Sequence, residues 1–227
     1  MKKIIVCGSE GLIGRHITKM LLDRGDLVLD LDATLGDDLT DEEYVKEIFA
    51  DEETKADALI NLFAFNDHVK PGEKRGTLFD LPLKSFKSCL DVNLTALFSV
   101  CREYARNNDE GTIINFGAST GIVSARPDMY DGAHKHIGYS VSKAGVIHLT
   151  KILAAHLAPR ITVNCISPGG IENDQGEDFQ KLYGSHTPAG RMGKLTDLEP
   201  VIRMLLDGDN RYMTGANIVV DGGWTII

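Results

Sequence analysis

The feature that most restricts this chain lies at its start. An apolar run, Lys3 to Cys7, leads directly into Gly8-Ser9-Glu10-Gly11-Leu12-Ile13-Gly14. From Leu12 to Arg24, Ile13, Ile17, Met20 and Leu21 then recur at helical spacing. The pattern predicts a buried strand, a glycine turn and an amphipathic helix. Glycines allow a tight turn and let the backbone come close to a pyrophosphate. The helix that follows aims its unpaired N–H groups at the negative charge. A glycine pattern alone is a weak signal, and its weight here comes from its place between strand and helix. The structural alternative is a plain strand-to-helix turn.

The same alternation continues. Gly25 ends the helix and Leu27 to Leu31 reads as a second strand. Asp57 to Phe65, Thr112 to Phe116, Ile161 to Ile166 and Ala216 to Val220 are further short apolar runs. Helical patterns cover Asp41 to Asp51, Leu83 to Asn107 and Tyr139 to Leu157. Strands that alternate with helices predict a parallel sheet covered on both faces, and right-handed crossovers make it doubly wound. The expected fold is therefore a single α/β, Rossmann-like domain over residues 1–227. Such sheets bind ligands at the carboxyl ends of their strands.

At one such end stands Asp30-Leu31-Asp32. A carboxylate there can accept hydrogen bonds from both ribose hydroxyls of an adenosine and would repel a 2′-phosphate. No Arg or Lys adjoins it. The expectation is NAD(H), with Asp32 as ligand and Asp30 as the alternative.

Bulk properties exclude several other classes. The 227 residues carry a net charge of −9, which disfavours nucleic acid and anionic membrane as partners. No stretch is long and apolar enough to span a bilayer, so the cytoplasm is the expected location. Cys7, Cys89, Cys101 and Cys165 form no CxxC pair and no metal-ligand spacing. They are expected as reduced core thiols, with no metal site.

Tyr139-Ser140-Val141-Ser142-Lys143 is YxxxK at the start of a long predicted helix. Asp57-Ala58-Leu59-Ile60-Asn61, Asn93 in Asp91-Val92-Asn93-Leu94, the segment Val163 to Gly169 and Thr214 to Gly223 accompany it in order. Together these resemble the short-chain dehydrogenase/reductase family over nearly the whole chain. The resemblance implies an oxidoreductase acting between alcohol and carbonyl. Tyr139 would be its acid/base, Lys143 would stabilise phenolate and bind the nicotinamide ribose, and Asn93 would support a proton-relaying water. It also implies cofactor contacts from Gly8, Gly11, Leu12, Ile13, Gly14, Asp38, Leu39, Ala64, Pro168, Gly169 and Ile171. A phenol can work near neutral pH only if its pKa, near 10, is brought down, and an ammonium at i+4 is expected to do so. The two long helices would pack against their copies in a homodimer or homotetramer.

The sequence departs from the family pattern in places. Leu12 replaces the middle glycine of the usual turn. Ala118 falls where the family has its catalytic serine, and Ser119 lies one residue later. A bulge at Gly117-Ala118-Ser119 would restore a hydroxyl, from Ser119 or Thr120. The stretch between Asp32 and Asp41 is short, which implies a crossover trimmed of a helix, with Asp38-Leu39 as the adenine-contacting strand end.

Substrate contacts are expected from the loop Gly121 to Gly138, with Arg126, Tyr130, Asp131, His134, Lys135 and His136, and from a lid over about 171–195 with Tyr183, His186 and Arg191. These residues favour a small polar substrate. Met129 to Gly132, Gly145 to Lys151 and Ser167 to Gln175 resemble reductases of flagellin modification and nonulosonic-sugar pathways, which adds sugar-derived compounds to that class. The alternatives are a 3-oxoacyl or generic ketone reductase and a catalytically weak nucleotide-binding regulator.

Overall fold

Along Lys3–Cys7 (β1) successive side chains leave the strand on opposite faces, and here both faces are apolar. Ile5 and Cys7 enter one core with Leu59, Ile113, Val163 and Cys165. Ile4 and Val6 enter a second with Ala58, Ile60, Ile114 and Ile166. A strand with two buried faces requires a layer on each side. In the computed structural model, which describes residues 1–66, 78–126, 129 and 135–227, both layers are present.

The sheet has six parallel strands in the order β2-β1-β3-β4-β5-β6. The remaining strands are Leu27–Leu31 (β2), Ala58–Asn61 (β3), Gly111–Phe116 (β4), Ile161–Pro168 (β5) and Asn217–Val220 (β6). On one face lie Glu42–Ala50 (α2), Leu97–Asn107 (α4) and Ile137–Leu157 (α5), which supply Val45, Phe49, Val100, Tyr104 and Val146 to the first core. On the other lie Leu12–Asp23 (α1) and Glu199–Leu206 (α7), which supply Ile17, Leu21, Ile202 and Leu205 to the second. Burying each such aliphatic side chain is worth about 1.5–3 kcal/mol. Leu83–Leu90 (α3) and Glu177–Ser185 (α6) complete the helices. All four cysteines are buried free thiols. Among the described residues no helix is long and apolar enough to cross a membrane.

From β1 the chain runs outward to β2 and then returns to β3 on the other side of β1. That reversal opens a crevice beyond the carboxyl ends of β1 and β3. The turn after β1 and the loop after β3 meet there closely: a Cβ on Gly8 would come within 2.4 Å of the Phe63 nitrogen.

Three local features differ from the sequence-based expectation. The helix expected over Leu83 to Asn107 is interrupted by a π turn at Asp91–Ala96. Such a turn carries an extra residue and often marks a functional position. Between Asp32 and Asp41 no strand forms; Ala33–Leu35 is a 3₁₀ turn, and Leu39 is nevertheless buried in the core. There is also no bulge at Gly117. Its N–H continues the ladder to the Ile166 carbonyl at 2.8 Å, Ala118 is extended, and the chain enters a 3₁₀ turn at Ser119–Gly121. That turn, not a bulge, sets the direction of the Ser119 and Thr120 side chains. Tyr130, Asp131 and His134 of the expected substrate loop lie outside the described residues.

Candidate active site

The glycine turn is shaped for close approach. Gly8 has φ +83°, and a Cβ on Gly14 would stand 2.1 Å from the Gly8 carbonyl oxygen. Both positions are therefore closed to side chains by the protein itself. Gly11 differs, since a Cβ there would meet only the Gly8 oxygen at 3.5 Å, an ordinary contact. Gly11 also caps α1 without any side-chain hydrogen bond, and no acidic residue occupies the first turn. The N–H groups at this helix end are thus left to a ligand, and the macrodipole favours an anionic one.

Asp32 is fixed beside this turn. Its Oδ2 accepts the Glu10 N–H at 3.1 Å, and its Oδ1 accepts from the Thr34 N–H at 2.9 Å and the Thr34 hydroxyl at 2.8 Å. Desolvation pushes this carboxyl up, but the Thr34 and Glu10 hydrogen bonds and nearby Arg15 outweigh it and hold the pKa below the usual value. Oδ2, with a single donor, keeps acceptor capacity for a ligand hydroxyl. Asp30, the alternative, is exposed and accepts from Thr18 on α1 at 3.3 Å. The cradle and the carboxylate thus fit a dinucleotide, and Asp32 is the acid tied to the turn.

Asn93 lies in the π turn and is 2% exposed. Its Oδ1 accepts the Phe65 N–H at 2.6 Å, and its Nδ2 donates to the Phe65 carbonyl at 2.9 Å and to Ser142 Oγ at 2.9 Å. Ser142 Oγ in turn donates to the Tyr139 carbonyl at 2.7 Å. One side chain thereby joins the loop after β3, which carries Ala64, to the first turns of α5. Both of its N–H groups are used in doing so.

On α5, Lys143 is 4% exposed, and its Nζ donates to the Phe116 carbonyl at 2.7 Å. That Nζ lies 5.7 Å from the centre of the Tyr139 ring, and Lys135 Nζ lies 5.1 Å from the same ring. Burial brings Lys143 down to about 8, with Cys165 pulling the other way. Tyr139 moves opposite to expectation. Burial, helped by the Cys89 sulfur, raises its phenol to about 12. The physical reason is that desolvation disfavours the phenolate, while Lys143 Nζ is bonded to the Phe116 carbonyl.

The chain matches, over residues 18–225, the family described as enoyl-(acyl carrier protein) reductase. A solved short-chain dehydrogenase from Leptospira borgpetersenii with bound NAD+ superposes with a TM-score of 0.87 and 31% identity, covering 99% of this chain and 93% of that one. This chain belongs to the short-chain dehydrogenase/reductase family. A curated relative, the 3-oxoacyl-[acyl-carrier-protein] reductase FabG of Chlamydia pneumoniae, is 29% identical over 99% of this chain and 97% of its own length. Another, the uncharacterized short-chain type dehydrogenase/reductase y4vI of Sinorhizobium fredii, is 27% identical over 97% of this chain, which spans only 43% of that relative.

Other residues of this dehydrogenase fold expected at the site divide into two groups. Ser119 is 5% exposed, and its hydroxyl has no hydrogen-bond partner among the described residues; Thr120 Oγ1 is buried without one. Pro168 ends β5, Gly169 donates to the Val220 carbonyl at 3.0 Å, and Ile171 bridges to Gly193. Asp38, by contrast, is exposed and turned toward its own loop, accepting from the Thr40 N–H at 2.9 Å and the Thr40 hydroxyl at 2.6 Å. His136 is also not free to face a substrate. It is 2% exposed and caps α5, its Nδ1 accepting the Tyr139 N–H at 3.3 Å while Nε2 meets Ser85 Oγ at 2.8 Å.

Sequence reasoning missed Trp224. Tyr183 of α6 stacks on it with ring centres 4.3 Å apart, His186 meets it edge-on at 6.2 Å, and the Arg126 guanidinium lies 5.6 Å above it. The tryptophan is the only one in the chain, and that singularity was the available signal. Arg191 instead pairs with Asp197 at 2.7 Å.

Proposed function

We propose that this short-chain dehydrogenase/reductase uses NAD(H) to interconvert an alcohol and a carbonyl on a small polar substrate, with sugar-derived compounds within that class. The observation that carries the reading is Lys143. A buried ammonium whose hydrogen bond among the described residues goes to a carbonyl, beside a tyrosine ring, costs stability, and such perturbed groups concentrate where chemistry is done. Asp32, held as a carboxylate at the glycine turn, supports NAD over NADP, as does the NAD+ bound by the Leptospira relative.

In the reduction direction Tyr139 donates its hydroxyl proton to the carbonyl oxygen. Lys143 lowers the cost of the phenolate that remains, and it hydrogen-bonds the nicotinamide ribose. Ser119 orients the substrate oxygen in place of the family serine. Asn93 keeps the loop at Ala64 and the start of α5 in register. Gly8, Gly11, Leu12, Ile13 and Gly14 cradle the pyrophosphate, with Pro168, Gly169 and Ile171 on the nicotinamide side. A dinucleotide held by these residues would supply or accept the hydride. Residues 171–195 form the lid.

Titration with NADH and with NADPH, followed by nicotinamide fluorescence, tests the cofactor. Preference for NADH that Asp32→Ala removes is expected, and preference for NADPH overturns that assignment. Tyr139→Phe should retain NADH binding and lose turnover; turnover that survives the change excludes Tyr139 as the acid. A second reading, 3-oxoacyl reduction, draws on the similarity to the Chlamydia protein. It requires turnover of acyl thioesters in preference to small polar ketones.

A further inference from the structure

Arg126 is unusual among the described arginines. The others are ion-paired or, like Arg160, bonded to backbone carbonyls. Arg126 has neither kind of partner among the described residues. Its Nη1 lies 3.2 Å from His186 Nδ1, and its guanidinium carbon lies 5.6 Å from the centre of the Trp224 ring. An arginine carries only donors, so in the contact at His186 its Nη1 donates to Nδ1. The Nε–Nη2 edge then has no partner among the described residues. This is the edge that recognises a carboxylate through two parallel hydrogen bonds.

The surroundings connect this edge to the reacting end of the fold. Arg126 follows β4 by way of the Ser119–Gly121 turn, and the Ser119 carbonyl accepts the Val123 N–H at 3.0 Å. Val123 packs against the cluster of Met129, Tyr183, Met192 and Trp224. From the other side, the Tyr183 hydroxyl accepts the Gly170 N–H at 2.6 Å, two residues beyond the end of β5. β4 and β5 are neighbours in the sheet. The cluster therefore bridges the loops that leave the two strand ends nearest Lys143. A cation lying over an indole at that place, in a chain of 33 acidic and 24 basic residues, has no carboxylate partner among the described residues.

We infer that Arg126 is a specificity residue for an acidic substrate, and that the oxidised substrate carries a carboxylate as well as its carbonyl. The assignment rests on the oxidoreductase reading and narrows it. Trp224 and His186 hold the guanidinium so that little side-chain entropy is lost when the carboxylate docks. The carboxylate anchors one end of the substrate while the carbonyl is presented to Tyr139.

The experiment compares acetoacetate with its neutral ethyl ester as probes, with NADH as reductant, in the wild type, Arg126→Gln and Arg126→Lys. The wild type should favour the acid in kcat/KM. Arg126→Gln should lower kcat/KM for the acid by roughly tenfold to a hundredfold and leave the ester nearly unchanged. The loss should appear chiefly in KM, and Arg126→Lys, which keeps charge but not the planar fork, should recover only part of it. Dihydroxyacetone phosphate against dihydroxyacetone forms a second arm; Arg126-dependent preference confined to that pair would overturn the carboxylate assignment. An acid-to-ester ratio that is the same in wild type and Arg126→Gln overturns the inference while leaving the oxidoreductase reading intact. If NADH binds but neither probe is reduced, succinate is titrated into the NADH complex. A fluorescence response lost in Arg126→Gln supports the site, and an equal response or none in both overturns it. Absence of NADH binding removes the oxidoreductase reading and this inference with it.

Discussion

Replacing Lys143 by Met should separate what this residue costs the fold from what it gives the reaction. Lys143 sits at about 8 against 10.5 for an ordinary lysine. At roughly 1.4 kcal/mol per pKa unit, the difference costs the folded state about 3 kcal/mol wherever solution pH keeps the ammonium charged. Between about 8 and 10.5 the unfolded chain holds a proton that the folded chain has released, so the stability contributed by this group rises with pH through that window. The Met variant has no such dependence of its own, and Cys165, whose thiolate Lys143 favours, is the coupled neighbour of the exchanged group. The wild type should therefore gain about 2–3 kcal/mol on Lys143→Met between pH 7 and pH 10. Urea unfolding of both proteins at pH 7, 8, 9 and 10 measures the gain directly. The series stops at pH 10 because Tyr139, raised to about 12, then begins to destabilise the fold as pH increases. Parallel stability curves for the two proteins would refute the premise that this ammonium is desolvated. The variant should also lose turnover by at least about a hundredfold.

Gly14→Ala should unfold or severely destabilise the protein, since its Cβ would press on backbone at 2.1 Å, whereas Gly11→Ala at 3.5 Å should fold with nearly unchanged urea midpoint and lose NADH affinity in titration. Asn93→Ala should cost about 2–3 kcal/mol in urea unfolding, because the Phe65 N–H and carbonyl both lose their partner, and NADH binding should weaken with it. His136→Ala should cost about 1–2 kcal/mol through loss of the α5 cap and should slow turnover because Tyr139 stands in the capped turn. His136→Asn, which can still cap, should recover much of both; equal losses in the two variants, read by thermal unfolding and steady-state rate, would deny the capping role.

What the sequence determined by itself was what depends on neighbours along the chain. Short apolar runs and helical spacing located the strands and most helices, and the strand-to-helix position of Gly8 to Gly14 marked the crevice, because these signals reside in local sequence and backbone geometry. YxxxK placed Tyr139 and Lys143 on one helical face by the same logic. Tertiary structure decided whatever depends on desolvation or on distant segments. The phenol of Tyr139 is raised, not lowered, because desolvation disfavours the phenolate and the Cys89 sulfur adds to it. His136, read as a substrate contact, becomes a cap because Ser85 arrives from α3. Asp38 is turned into its own loop because the strand expected to carry it does not form. Trp224 and Arg126 lie nearly a hundred residues apart in sequence, and only the packing of α6 and of the segment after β4 against the chain's last turn brings indole, imidazole and guanidinium together.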